Sequence, residues 1–217
     1  MSDFTYETNI TSNKLETFEW DNVWWEQTDN KTSKRILYIG DSISCATRQL
    51  ITKFSESRIL CDGFGTSKAL DNPYFKQTLE LFIKQQSACD MILFNNGLHG
   101  WHLADSEYAK YYEDMLLFLL KAVKTIFIVL TTDDITNHSH NETVKARNKI
   151  AKDLAQKYSL PVIDLHTVAI NNAECHISDG VHFNAVGYEL LAKCILENIT
   201  KFFSECRYFA PGYGLGD

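Results

Sequence analysis

The sequence has few of the features that mark membrane, disordered or nucleic-acid-binding proteins. Only 3 prolines and 10 glycines occur among its 217 residues, which argues against long disordered stretches. The longest apolar run, near residues 126–130, is far shorter than a bilayer requires. No cluster of Lys and Arg occurs, and the net charge is −7. We therefore expect a globular protein with no membrane and no nucleic-acid partner.

Targeting signals and cysteine motifs are also missing. The first ten residues contain neither a basic region nor an apolar stretch, so we expect a cytoplasmic protein, although a secreted chain that had lost its leader would look the same. The six cysteines form no CxxC pair, and a chain of this length does not need disulfides, so we expect reduced thiols. The sequence does not predict an oligomeric state.

What the chain does contain is a regular alternation of strand and helix patterns. Short apolar runs predict strands at 35–40, 58–62, 90–95, 125–131 and 161–165. Helical patterns are found at 44–57, 73–86, 105–122, 141–158 and 185–203. This alternation predicts right-handed βαβ units and a five-stranded parallel sheet with helices on both faces. Ligands bind to such sheets at the carboxyl ends of the strands.

The alternating region also sets the domain limits. We expect one domain over residues 34–206 and a Gly-rich surface tail over residues 207–217. Residues 1–33 are polar and aromatic, which predicts an N-terminal arm. Its large aromatic residues are Phe18, Trp20, Trp24 and Trp25. These side chains either pack on the domain or line a site.

Ser42 is the first residue suited to catalysis. It lies in the segment GDSIS (40–44), directly after the first predicted strand. In the turn that opens the next helix, free backbone N–H groups collect. A serine there can attack a carbonyl carbon while these amides bind the developing oxyanion. The alternative is that Asp41 or Ser42 only caps the helix.

Asp179 and His182 provide the groups that such a serine needs. Both lie in DGVHFN (179–184), before the last predicted helix. A histidine is the usual base for a serine nucleophile, and a carboxylate on its other nitrogen orients the ring. A spacing of three residues on a short loop allows the two side chains to meet. The alternative is a polar turn with an incidental histidine.

Taken together, the two segments resemble the nucleophile and DxxH blocks of the SGNH/GDSL hydrolases, in the same order along the chain. The resemblance covers roughly residues 35–203. It implies a flavodoxin-like three-layer α/β/α sandwich and hydrolysis of ester bonds through an acyl-enzyme. It also implies that the triad is Ser42, His182 and Asp179, and that no metal or other cofactor is needed.

The same resemblance implies donors for an oxyanion hole. Gly65, with Gly63 as the alternative, matches the glycine that follows the second strand in that family. The block after the third strand departs from the family pattern GxND, since it reads NNGLHGWH over 95–102. His99 stands where the family has Asn, and Asn96 lies close by. Either side chain can donate to an oxyanion.

The GLH segment and the Trp-Trp pair also resemble a branch of the family that acts on acylated glycans. We therefore expect a serine esterase for short acyl groups, above all acetyl groups, on a carbohydrate or other small ester. Trp101, His102 and Trp25 are candidates for a sugar-stacking wall. Rival interpretations are a lipase or thioesterase, or a non-catalytic glycan-binding module. His138 and His140 lie near two aspartates in a segment predicted to be a solvated loop, without a metal-ligand spacing.

Overall fold

A computed structural model describes residues 19–86 and 89–208, apart from the side chains of 206–208. Most of the predicted arm, including Phe18, and the tail from residue 209 lie outside the described residues. Within the described part, no helix is both long enough and apolar enough to cross a membrane. The described cysteines are free thiols: Cys45, Cys61, Cys89, Cys175 and Cys194.

The architecture is one sheet between two layers of helices. The strands are β1 (Asp21–Trp24), β2 (Lys34–Gly40), β3 (Ile59–Thr66), β4 (Met91–Phe94), β5 (Ile126–Val129) and β6 (Val162–Ile163). The helices are α1 (Ser42–Phe54), α2 (Pro73–Gln85), α3 (Asp105–Ala122), α4 (His138–Lys157), α5 (Leu165–Asn171) and α6 (Ala185–Tyr208), with a 3₁₀ turn at Ala173–Cys175. The sheet order is β1-β3-β2-β4-β5-β6. Strands β2 to β6 are parallel, and β1 is antiparallel to β3.

The core lies on both faces of the sheet, because successive side chains of a strand point to opposite faces. In β2, Ile36 and Tyr38 join a cluster with residues of α1, α5 and α6. Leu37 and Ile39 join a second cluster with residues of α2, α3 and α4. The predicted three-layer α/β/α architecture is therefore confirmed.

The sheet has one strand more than predicted, because residues 21–24 of the expected arm form β1. This strand pairs with β3 from Asp21 opposite Thr66 to Trp24 opposite Gly63. The pairing extends β3 to Thr66, so Gly63 and Gly65 lie in a strand and not in the predicted loop. Glycine lowers strand propensity, so the sequence pattern did not predict this extension.

Two further boundaries differ from the prediction. The strand expected over 161–165 ends at Ile163, since Asp164 caps α5 by accepting a bond from the backbone N–H of Thr167 at 2.9 Å. Helix α4 begins at His138 and not at residue 141. The Asn137 side chain accepts from the backbone N–H of His140 at 3.1 Å, which places both histidines in the first turn of a helix.

Candidate active site

Ser42 is the first residue of α1, at the carboxyl end of β2. The side chain of Asp41 caps this helix by accepting a hydrogen bond from the N–H of Ile43 at 2.9 Å. The serine hydroxyl is therefore not used as the cap. The N–H groups in the first turn of a helix have no partner within the helix, so they surround Ser42 with donors.

The structure brings the hydroxyl of Ser42 to the ring of His182 and that ring to Asp179. Ser42 Oγ lies 2.8 Å from His182 Nε2. On the other side of the ring, His182 Nδ1 lies 2.8 Å from Asp179 Oδ2. With the Nδ1 proton donated to the carboxylate, Nε2 can accept the proton of the serine hydroxyl. This arrangement can generate a serine nucleophile.

The loop that carries Asp179 and His182 has a fixed shape. Asp179 Oδ1 accepts hydrogen bonds from the N–H groups of Val181 at 3.0 Å and His182 at 2.9 Å. Ile177 donates from its N–H to the carbonyl of His182 at 2.9 Å. These bonds hold the carboxylate and the imidazole in one short turn before α6, so their relative position does not depend on a distant element.

The loop between β5 and α4 supports this turn. Thr136 Oγ1 donates to the carbonyl of Asp179 at 3.2 Å, and the N–H of Ile135 donates to the carbonyl of Gly180 at 2.9 Å. Gly180 has a φ of 75°, which favours glycine, and a Cβ there would lie 2.3 Å from Thr136 Cγ2. A side chain at position 180 would therefore push the two loops apart.

The hydrogen bonds to Asp179 should make the stability of the protein depend on pH. The N–H groups of His182 and Val181 lower the pKa of Asp179 from 3.8 to about 2. A carboxyl whose pKa is lower in the folded chain stabilises the fold above its ordinary pKa, and this contribution is lost as the pH falls through the folded value. The free energy of unfolding of the parent protein relative to Asp179→Asn should thus be constant above pH ~5 and fall between pH ~4 and ~2. Denaturant unfolding at a series of pH values measures it, and a difference that does not change with pH contradicts the assignment.

Asp41 is a buried carboxyl beside the nucleophile. Burial raises its pKa, while the rings of His99 and His182 and the N–H of Ile43 act in the opposite direction. Its exposed fraction is 2%, and its Oδ2 has no hydrogen-bond partner among the described residues. The aspartate of the GDS segment therefore caps α1. Electrostatic interactions with His99 and His182 favour its ionised form.

Of the two candidate glycines, Gly65 lies nearer to Ser42. It pairs in register with Gly40, whereas Gly63 pairs with Tyr38, two residues further from the nucleophile. A Cβ on Gly65 would lie 2.2 Å from Cys45 Sγ and 3.5 Å from the carbonyl of Asp41. A glycine is thus required at position 65 for β3 to approach the start of α1 this closely.

Asn96 and His99 both lie in the loop after β4. Asn96 is 4% exposed, and its Nδ2 donates to the carbonyl of Lys68 at 3.1 Å, which ties this loop to the one after β3. An amide nitrogen carries two hydrogens, so a second donor remains available. The His99 ring lies edge-on to the ring of Trp20, with centroids 6.4 Å apart. Asn96 and His99 are thus both candidate donors on this loop.

The three side chains proposed for a sugar-stacking wall are not brought together. His102 Nε2 lies 2.9 Å from Asp71 Oδ2, and the Trp101 ring stacks on His140 at a centroid distance of 4.1 Å. Trp25 packs on Phe82 in the core cluster on the α2 side of the sheet, whereas α1 packs on the other side. Because β1 runs antiparallel to β3, the chain at Trp25 also lies further from the catalytic edge than it does at Trp20.

Trp20 is the aromatic residue of the arm that reaches the site. Its ring lies 3.4 Å from the position that a Cβ on Gly65 would take. Its backbone is held by Ser67 Oγ, which accepts from the Trp20 N–H at 2.9 Å. Strand pairing decides which tryptophan lies beside Gly65, and the sequence pattern did not predict that pairing.

Two further histidines lie against carboxylates. His140 Nδ1 lies 3.0 Å from Asp134 Oδ2, and His176 Nε2 lies 3.1 Å from Asp133 Oδ1. Within residues 19–86 and 89–208, no group of three or more His, Cys, Asp or Glu side chains is arranged to hold a metal ion.

No protein-family model and no curated protein matches the chain. Its fold matches a lipolytic protein of the G-D-S-L family from Veillonella parvula (TM-score 0.66, 18% identity, 78% of this chain and 100% of the other). The expected resemblance to SGNH/GDSL hydrolases is confirmed at the level of the fold.

Two other solved structures share the fold. An acetylxylan esterase from Geobacillus stearothermophilus has a TM-score of 0.61 and 16% identity, over 78% of this chain and 96% of that one. An α/β hydrolase enzyme from the metagenome of Lake Arreo has a TM-score of 0.63 and 13% identity, over 76% and 94%. At these identities the comparison concerns the fold, so the chemistry has to be argued from the residues of this chain.

Proposed function

We propose that the protein is a serine esterase that removes short acyl groups, above all acetyl groups, from a carbohydrate through an acyl-enzyme. The observation that carries the proposal is the continuous contact from Ser42 Oγ to His182 Nε2 and from His182 Nδ1 to Asp179, each at 2.8 Å. Both distances are within the range required for proton transfer.

The reaction follows from the roles of these atoms. His182 Nε2 takes the proton from Ser42 Oγ as this oxygen attacks the acyl carbon of the ester. The carbonyl oxygen becomes an oxyanion, which the N–H groups in the first turn of α1, beginning with that of Ser42, bind together with Asn96 or His99. His182 then returns the proton to the departing alcohol oxygen. A water molecule, deprotonated by His182, then attacks the acyl carbon. The bond from this carbon to Ser42 Oγ breaks, His182 gives its proton to Ser42 Oγ, and the acid is released.

The surroundings of Gly65 favour a small acyl group. Cys45 Sγ and the ring of Trp20 lie within 3.4 Å of the point where a side chain on Gly65 would begin. An acyl group bound beside Gly65 therefore meets these two side chains on this side of the site. Acetyl fits such a space better than a long chain, which supports an acetyl esterase over a lipase.

The His182 side of the site favours a bulky alcohol. The side chain of His182 is 37% exposed and that of Asp179 is 46% exposed. Because His182 protonates the leaving alcohol, this alcohol lies on the side of the site that is open to solvent. A large hydrophilic alcohol such as a sugar can occupy it. One of the proteins with the same fold is an acetylxylan esterase, which agrees with this substrate class.

Covalent labelling tests the proposal directly. A fluorophosphonate probe reacts with activated serines and should modify Ser42, as located by mass spectrometry of the labelled peptide. Ser44 lies on the same peptide and donates its hydroxyl to the carbonyl of Asp41 at 2.7 Å, so it should stay unmodified. A folded protein that takes up no probe would refute the esterase and favour the glycan-binding module.

A further inference from the structure

Arg147 is a buried cation on α4 that contacts the loop after β4. Only 1% of the Arg147 surface is exposed to solvent. Nη1 donates to the carbonyls of Gly97 at 2.9 Å and His99 at 2.7 Å, and Nη2 donates to the carbonyl of Gly100 at 2.6 Å. One guanidinium group therefore holds three carbonyls of the segment that contains the candidate oxyanion donors.

Two aromatic rings complete the surroundings of this guanidinium. Its central carbon lies 4.6 Å from the ring centroid of Tyr108 and 5.1 Å from that of Trp101. The hydroxyl of Tyr108 also donates to the carbonyl of Asn96. Arg147 and Tyr108 together thus bind the carbonyls of residues 96, 97, 99 and 100.

Burying a charge is costly unless it is paired or hydrogen-bonded, and burial lowers the pKa of Arg147. Its hydrogen bonds go to backbone carbonyls, and among the described residues it forms no ion pair with a carboxylate. The usual compensation for a buried arginine is a carboxylate, as in the 2.6 Å pair of Arg35 with Asp62. At Arg147 the compensation comes from backbone carbonyls. The guanidinium group therefore fixes the loop after β4.

Fixing the carbonyls also fixes the N–H groups. A trans peptide is planar, and the N–H of each residue points opposite to the preceding carbonyl. The N–H groups of residues 97, 98, 100 and 101 therefore point away from Arg147 and Tyr108. The carbonyls bonded to a cation are also polarised, which strengthens the hydrogen bonds donated by the same peptides.

We propose that Arg147 is a positioning residue that holds the loop Asn96–Gly100 in the conformation in which its donors bind the oxyanion. The inference rests on the proposed esterase function and adds a residue outside the triad to it. Arg147 does not touch the reacting atoms. It acts through the backbone of this loop, so its loss should lower the rate of the chemical step more than it weakens the binding of the ester.

The test compares Arg147→Lys and Arg147→Met with Arg35→Lys, using p-nitrophenyl acetate and a fluorophosphonate probe. Arg35 is a matched control, since it is also buried and donates to the carbonyl of Glu26 at 2.9 Å, but it lies at the opposite edge of the sheet. We expect kcat to fall by about 10- to 100-fold in Arg147→Lys and by more in Arg147→Met, with KM within about twofold, since the loss of one oxyanion donor lowers kcat by about 10²–10³. The labelling rate should fall in parallel.

A purely structural role gives a different result. Both Arg147→Lys and Arg35→Lys would then lower the melting temperature, and neither would change kcat below the melting transition. An unchanged kcat in folded Arg147→Lys overturns the inference while the esterase stands, and this variant decides alone if Arg147→Met does not fold. A parent protein that neither turns over the ester nor takes up the probe overturns the esterase and the role of Arg147 with it.

Discussion

Replacing Ser42 with Ala should lower kcat for p-nitrophenyl acetate by roughly 10⁴- to 10⁶-fold while the protein stays folded. The substitution removes the nucleophilic oxygen that lies 2.8 Å from His182 Nε2. It leaves the helix cap in place, because the cap is the side chain of Asp41. The rate that remains should come from the oxyanion donors and substrate binding alone.

Ser55→Ala is a suitable control for the Ser42 variant. Ser55 ends the same helix, and its hydroxyl lies 3.0 Å from the carbonyls of Thr52 and Ile59, to one of which it donates. Its loss should cost about 1 kcal/mol of stability and leave kcat within about twofold. Steady-state kinetics and thermal unfolding of both variants measure the two effects. A Ser42→Ala protein with the parent rate would remove Ser42 from the reaction.

The second large effect is expected for His182→Ala. Without the imidazole, no base lies against Ser42 Oγ, and the hydroxyl stays protonated and weakly nucleophilic. The loss in kcat should be about as large as for Ser42→Ala. Because the two side chains act as one unit, the double variant should be no slower than either single variant. Single-turnover measurement of acylation separates this step from release of the acid.

His138→Ala is the matched histidine control. His138 is exposed and begins α4, next to the loop that supports the turn of Asp179. Its removal should leave kcat within about twofold and change stability by no more than about 0.5 kcal/mol. If the losses in the Ser42 and His182 variants instead multiplied in the double variant, the two residues would act independently and the proton-transfer scheme would be wrong.

The parallel sheet and the contact of Ser42 with the Asp179–His182 turn could be predicted from the sequence. Both follow from rules that depend on local pattern. Apolar runs alternate with helical periods, and polar segments that follow parallel strands meet at one edge. The short spacing between Asp179 and His182 keeps both on one turn, whatever the rest of the fold.

The surroundings of Ser42 could not be predicted in the same way, because they depend on pairing between distant segments. Gly65 lies between β2 and β1, and the four residues of β1 show no strand pattern. The direction of β1 decides that Trp20, and not Trp25, lies beside Gly65. Arg147 lies in a helix rich in charged residues, where a solvated side chain would be the ordinary expectation. Only the packing of α4 against the β4 loop shows that it is buried.

The short strand β1 also protects the sheet from self-association. It covers the free hydrogen-bonding edge of β3, whose glycines offer a neighbouring chain little steric resistance. An unpaired edge of this kind is a template for another strand. A chain shortened beyond Trp24 would therefore lose Trp20 and expose the unpaired edge of β3. Low activity and aggregation would then both result from the same deletion.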